Sequence, residues 1–144
     1  MPQITFPFDL SGMFVDVMIA PSGGVLTAMK NAGKPFPSPV WGKAMIDTGT
    51  NVSAVSIAIL ESLGIQPESE VETRGIGGEM DVGYYEVSLT IMNRATGSQI
   101  EYAPPDVKVI GIDVPDIDAL IGLDLLIGCR MMFDGPGGEF SLHF

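Results

Sequence analysis

Glycine and proline interrupt this chain so often that no apolar segment runs far. Its 144 residues include 18 glycines and 11 prolines, so most of the chain must be turns and the short pieces between them. Those pieces are rich in Val, Ile, Met and Phe, as in Gly12–Ala20 (GMFVDVMIA) and Val40–Ile46 (VWGKAMI). Short β-branched runs closed by turn residues predict strands. Further strands are expected at Asn51–Ser56, around Pro104-Pro105, and in a C-terminal hairpin, Cys129–Phe144, that turns at DGPGG. Val71–Asn93 reads as a long hairpin with a glycine-rich tip at Gly75, Ile76, Gly77 and Gly78.

Helix patterns are few. Ser56 can cap a short helix that carries Ile57, Leu60 and Leu63 on one face and ends at Gly64. Ala119–Gly128 reads as a strand running into a second short helix. Pro21–Pro39 reads mostly as a connection, with a short strand or turn at Val25–Met29. The expected fold class is all-β: a small closed barrel or sandwich with a hairpin lid and one or two short helices. The length suits one domain, residues 1–144, around one core.

Charge and cysteine content exclude several functions. With 18 acidic and 7 basic side chains the net charge is -11, the wrong sign for a nucleic-acid surface. No apolar run approaches the ~18 residues of a membrane span. The start, MPQITFPFDLSG, lacks the basic and apolar regions of a secretory signal, so the cytoplasm is the expected compartment. One cysteine, Cys129, can form neither an internal disulfide nor a thiolate metal cluster, and no metal or cofactor is expected. His143 is the only histidine, which leaves a Ser or Cys triad without support. Gly75–Gly78 is no dinucleotide fingerprint, because the third glycine and a following helix are missing.

One segment breaks the apolar pattern with a carboxylate: Lys43–Ser56, KAMIDTGTNVSAVS. A lone buried carboxylate is costly unless something compensates it. Thr48 and Thr50 supply hydroxyls, and Gly49 permits close backbone approach. Asp47 in this frame could be an ordinary turn residue. Two such carboxylates face to face could instead share a proton, so that one acts as base on a water while the other donates to a carbonyl oxygen.

MIDTGT resembles the catalytic signature of aspartic proteases. RGIGGEMDVGYYEV resembles the flap hairpin of retropepsins, and DALIGLDLL resembles the apolar-apolar-Gly segment and short helix that follow it. GLDLL, with Cys129 shortly after it, is similar to the protease domain of DNA-damage-inducible proteins. The resemblance covers about Val40 to Phe144. It implies a retropepsin-like fold and an aspartic endopeptidase acting on peptide or protein substrates. Only one Asp-Thr-Gly is present, so it also implies a homodimer with one catalytic Asp47 per subunit.

By the same resemblance, Thr48 locks the two loops across the dimer axis and Gly49 lies close to substrate backbone. Gly75, Ile76, Gly77 and Gly78 form the flap over substrate, and Ile121 and Gly122 sit beside the Asp loop. EFSLHF becomes an interfacial strand that ITFPF can join. Thr50 stands where Ala is common in the retroviral enzymes. A hydroxyl there could donate toward the carboxylate, favour its charged form and set a more acidic optimum. Leu123 replaces an arginine that braces the retroviral dimer. A non-catalytic peptide-binding or dimerisation module on the same fold is the alternative. Asp113, Asp116 and Asp118 read as a solvated turn, Asp124 as a first-turn helix acid and Cys129 as a buried, inert thiol.

Overall fold

The computed structural model describes residues 1–75 and 78–144, with side chains outside 73–81. Eight strands form the main sheet: β2 (Phe14–Pro21), β3 (Val40–Ile46), β4 (Ala54–Ser56), β5 (Ser69–Gly75), β6 (Gly78–Met92), β7 (Glu101–Tyr102), β8 (Val107–Ile112) and β9 (Ala119–Ile121). Six of them close a barrel in the order β2-β3-β9-β4-β8-β6, with β6 returning to β2. Closure depends on β6, whose 15 residues pair with β5, β8 and β2 in turn, and with β7 at their end. Its first part pairs with β5, Tyr84–Val87 pairs with β8, and Val87–Met92 pairs with β2. Alternate residues of these strands point inward, so Val15, Val17 and Ile19 of β2 meet Val87, Leu89 and Ile91 of β6 in one core.

A second sheet joins the two ends of the chain. Its order is β1 (Gln3–Pro7), β11 (Glu139–His143), β10 (Arg130–Asp134), all antiparallel. Ile4, Phe6, Phe140 and Leu142 are buried on its inner face, and the Phe6 and Phe140 rings stack at 5.5 Å. Asn93, at the end of β6, ties this sheet to the barrel by donating to the Thr5 carbonyl at 2.6 Å. ITFPF does join EFSLHF, as β1 beside β11. Within one chain β11 is the central strand of this sheet, with β1 on one edge and β10 on the other.

The helices depart from expectation at three points. Val25–Met29 is neither strand nor turn but part of helix α1 (Gly23–Asn31), which makes three helices in all among the described residues. Ser22 caps it by accepting from the Val25 N–H at 3.3 Å, which offsets the poor helix propensity of Gly23 and Gly24. Helix α2 (Ile57–Ser62) begins after Ser56 as expected, but Ser56 makes no side-chain cap bond. Leu60 and Leu63 are buried while Ile57 is 36% exposed, so the apolar face is shorter than the pattern implied. Gly64 ends the helix with φ +69, a conformation that suits glycine. Helix α3 (Leu123–Leu126) follows β9 directly.

The cap of α1 is charged on its far side. The Ser22 hydroxyl donates to Glu86 Oε2 at 2.8 Å. Lys108 Nζ lies 3.3 Å from Glu86 Oε1 and 2.6 Å from Glu68 Oε2. The Ser22 bond, against partial burial and with help from Lys108, holds the Glu86 carboxyl below the usual carboxylate range. A carboxyl so lowered stabilises the fold above its unfolded value, and that contribution is lost as pH falls through its folded value. Urea unfolding from neutral pH to about pH 3 should therefore show Glu86→Gln less stable than wild type at neutral pH, with the gap closing in acid. A gap that stays constant with pH would remove Glu86 from this role.

Candidate active site

The candidate loop starts where β3 ends. Strand β9 lies between β3 and β4, parallel to the first and antiparallel to the second, with Ile46 beside Ile121 and Val55 beside Ala119. The chain from Asp47 to Ser53 must therefore pass around the end of β9. It is stitched there at each step. The Asp47 N–H donates to the Ile121 carbonyl at 2.9 Å, and the Leu123 N–H donates to the Thr50 carbonyl at 2.9 Å. Gly122 runs between them. A Cβ on it would come within 2.9 Å of the Thr50 carbonyl oxygen and 3.1 Å of the Val52 carbonyl carbon, so only glycine fits. Ile121 and Gly122 thus lie beside the Asp loop, as expected, and both are buried.

Asp47 is half-buried. Its Oδ1 accepts from the Gly49 N–H at 2.9 Å, the close approach that the glycine permits. A Cβ on Gly49 would stand 3.1 Å from that oxygen. Among the described residues no hydrogen bond engages Oδ2. One oxygen is thus oriented by backbone. Thr48 is exposed at the crown of the loop.

Thr50 requires a correction. Its hydroxyl donates to the Val52 carbonyl at 3.0 Å and accepts from the Val52 N–H at 3.4 Å. It is committed to its own turn and does not donate to Asp47. The local pattern Thr-x-Val offers a closer acceptor than the carboxylate, which takes away the reason for expecting Thr50 to shift the optimum toward acid. Gly75 and Gly78 pair with each other at the end of the β5–β6 ladder, while Ile76 and Gly77 lie outside the described residues.

Two residues were not assigned to the site by the sequence reading, which passed over Ser53 and read Asp124 only as a helix acid. Ser53 is fully buried, and its hydroxyl accepts from the Gly122 N–H at 2.9 Å while donating to Asp124 Oδ1 at 2.7 Å. Asp124 Oδ2 accepts from the Ser53 N–H at 3.0 Å, and Oδ1 also takes the Leu125 N–H at 3.0 Å. Asp124 is thus a first-turn acid of α3, as expected, and also the clamp that holds α3 against the Asp47 loop. The available signal was a serine inside the apolar run Val52–Val55. Asp113 and Asp116 are exposed, consistent with a solvated turn. Asp118 is only half-exposed and accepts from the Lys43 N–H at 2.9 Å. Cys129 is half-buried rather than buried, and burial pushes its thiol up. Among the described residues no three His, Cys, Asp or Glu side chains converge on a metal position. No helix there is long and apolar enough to cross a membrane.

A retropepsin-like aspartic protease from Rickettsia conorii superposes on the chain with a TM-score of 0.59, covering 98% of this chain and 89% of that one at 19% identity. The fold is retropepsin-like. Simian foamy virus protease matches with a TM-score of 0.47 and 16% identity over 80% of this chain and 92% of that one. The retroviral protease-like domain of Ddi1 from Leishmania major matches at 0.45 and 20%, over 92% and 94%. No protein-family model and no curated protein sequence matches the chain.

The clamp makes a direct prediction. Ser53→Ala leaves the buried Gly122 N–H without an acceptor and should cost about 1–3 kcal/mol in urea unfolding. Asp124→Asn keeps the shape but offers one carbonyl oxygen to three donors, so it should also destabilise. Unchanged unfolding midpoints for both variants would mean that the clamp contributes nothing.

Proposed function

We propose that the chain is an aspartic endopeptidase that works as a homodimer, with Asp47 of each subunit forming one shared-proton pair. The observation that carries this reading is the state of Asp47. It sits at a strand end, half-buried, with one oxygen held by the Gly49 N–H and the other without a bond among the described residues. An ordinary turn aspartate needs none of the surrounding stitching by Ile121, Gly122 and Leu123. The retropepsin-like fold supports the reading, and since these 144 residues hold a single Asp-Thr-Gly, a second copy supplies the second carboxylate in this proposal.

The chemistry follows from two carboxyls that share one proton. The ionised one takes a proton from a water, whose oxygen attacks the scissile carbonyl carbon. The protonated one gives its proton to the carbonyl oxygen, and a tetrahedral diol results. The carboxyl that took the water's proton then gives it to the amide nitrogen, the carbon–nitrogen bond breaks, and one hydroxyl proton of the diol returns to the other carboxyl, so the pair again holds one proton and no covalent enzyme intermediate forms. Gly49, exposed beside the carboxylate, lets substrate backbone approach, and Thr48 is free to meet its counterpart across the two-fold axis. The β5–β6 hairpin, with Gly75, Ile76, Gly77 and Gly78 at its tip, serves as the flap over an extended peptide. The whole of residues 1–144 acts as one protease domain.

Peptide cleavage should be seen at acidic pH and should be sensitive to pepstatin. Asp47→Asn should abolish it while dimerisation persists. Specific activity should fall on dilution through the dimer dissociation range. A binding module would instead hold peptides without turnover, and Asp47→Asn would leave that affinity unchanged.

A further inference from the structure

Helix α1 leaves part of its apolar face uncovered. Val25, Ala28 and Met29, with Ala32 just past the helix end, recur at the spacing of one helical face. Met29 is buried, and its methyl group stands 3.5 Å from where a Cβ on Gly64 would be. Ala28 and Ala32 are exposed. These four residues line a hollow of about 350 Å³ together with Gly64 and Gln66, which follow α2. That volume lies in the range of ligand pockets, roughly 300–1,000 Å³.

Lys34 lines this hollow and also a second one beside it, formed with Lys30, Gly33, Pro35 and Phe36. Phe36 is 57% exposed. One cation thus stands between two apolar surfaces. The backbone that carries it is fixed. The Lys34 N–H donates to the Met29 carbonyl at 2.9 Å, the Gly33 N–H donates to the Lys30 carbonyl at 3.1 Å, and Gly33 takes φ +71. The groove lies at the far end of the β2–β3 pair from Asp47. Helix α1 follows the end of β2, where Ile19 stands opposite Val40, whereas Asp47 follows Ile46 at the other end.

Charge singles out the two lysines. Lys43 is held by Asp16, and Lys108 by Glu68 and Glu86. Arg94 lies over the Trp41 ring, 4.1 Å from its centroid. Lys30 and Lys34 make no ion pair among the described residues, and no carboxylate among them lines either hollow. Two unpaired cations on a chain of net charge -11 are complementary to an acidic ligand. The hollows on either side of Lys34 match apolar groups flanking that acid. Two lysines are too few to hold a chain of this charge on an anionic bilayer.

We propose that the α1 groove docks an extended acidic peptide of a partner protein, with a carboxylate on Lys30 and Lys34 and an apolar side chain in the hollow on each side. Side chains two residues apart point the same way in an extended segment, so the motif is apolar-x-Asp/Glu-x-apolar. The surface is separate from the candidate active site, and the proposal does not depend on the protease reading.

Fluorescence anisotropy at neutral pH tests it with fluorescein-labelled nonapeptides. Each carries a central glutamate, with leucine, phenylalanine or methionine two residues away on both sides. At least one of them should bind saturably, and its counterpart with a central lysine should not. Lys30→Glu with Lys34→Glu should weaken binding about tenfold or more. Ala28→Arg adds a cation but fills the hollow beside Met29. It should weaken binding about fivefold or more, whereas attraction by charge alone would strengthen it. Circular dichroism checks that the variants are folded. No saturable binding by any of the peptides, unchanged affinity in the lysine double variant, or tighter binding by Ala28→Arg would each overturn the proposal. So would lysine-dependent sedimentation with phosphatidylserine vesicles in place of peptide binding, which would make the surface a membrane contact.

Discussion

The placement of β9 between β3 and β4 is the constraint on which the site depends. A three-residue strand inserted between two others forces the intervening chain, Asp47 to Ser53, to pass over its end. The backbone groups of Gly122 and Ser53 have to find partners there, because both residues are buried. The Asp47 and Leu123 N–H groups find carbonyls across the crossing, and the Gly122 N–H finds the Ser53 hydroxyl. A carboxylate at the start of such a loop is oriented by the fold, without a network of side-chain donors. The two chain segments approach so closely that a side chain at position 122 is excluded.

Asp124 extends that constraint to the next element. A carboxylate accepts without donating, and all three groups around it are donors: the Ser53 N–H, the Ser53 hydroxyl and the Leu125 N–H. The same residue therefore starts α3 and fastens it to the loop. From α3 the chain enters β10, so the orientation of the Asp47 loop and of the terminal sheet are mechanically connected.

Much of the fold was legible because its signals are local. Strand runs ended at glycine or proline, Gly64 ended its helix, and the DGPGG turn closed the last hairpin. Asp47 stood out because a carboxylate within an apolar run is costly. Helix α1 was not legible, since two glycines at its start outweighed the capping serine in a short window, while Glu86 on a distant strand supports that cap. The roles of Ser53 and Asp124 were not legible for a similar reason. Their bond spans 71 positions of sequence, and no local pattern pairs them. Thr50 was misjudged because both Asp47 and Val52 were within plausible reach, and only the folded turn chooses between them.

The sequence by itself determined the alternation of short strands and turns, the acidic balance, and the presence of one Asp-Thr-Gly loop in place of two. These follow from side-chain chemistry and near-neighbour geometry, which act over a few residues. Tertiary structure decided which groups hold that loop, where the Thr50 hydroxyl points, and which strands pair. It decided them because hydrogen bonds and pairing edges are competed for by residues far apart in the chain. β11 illustrates the point: one of its edges is taken by β10, its neighbour in the chain, and the other by β1, from the opposite end of the sequence.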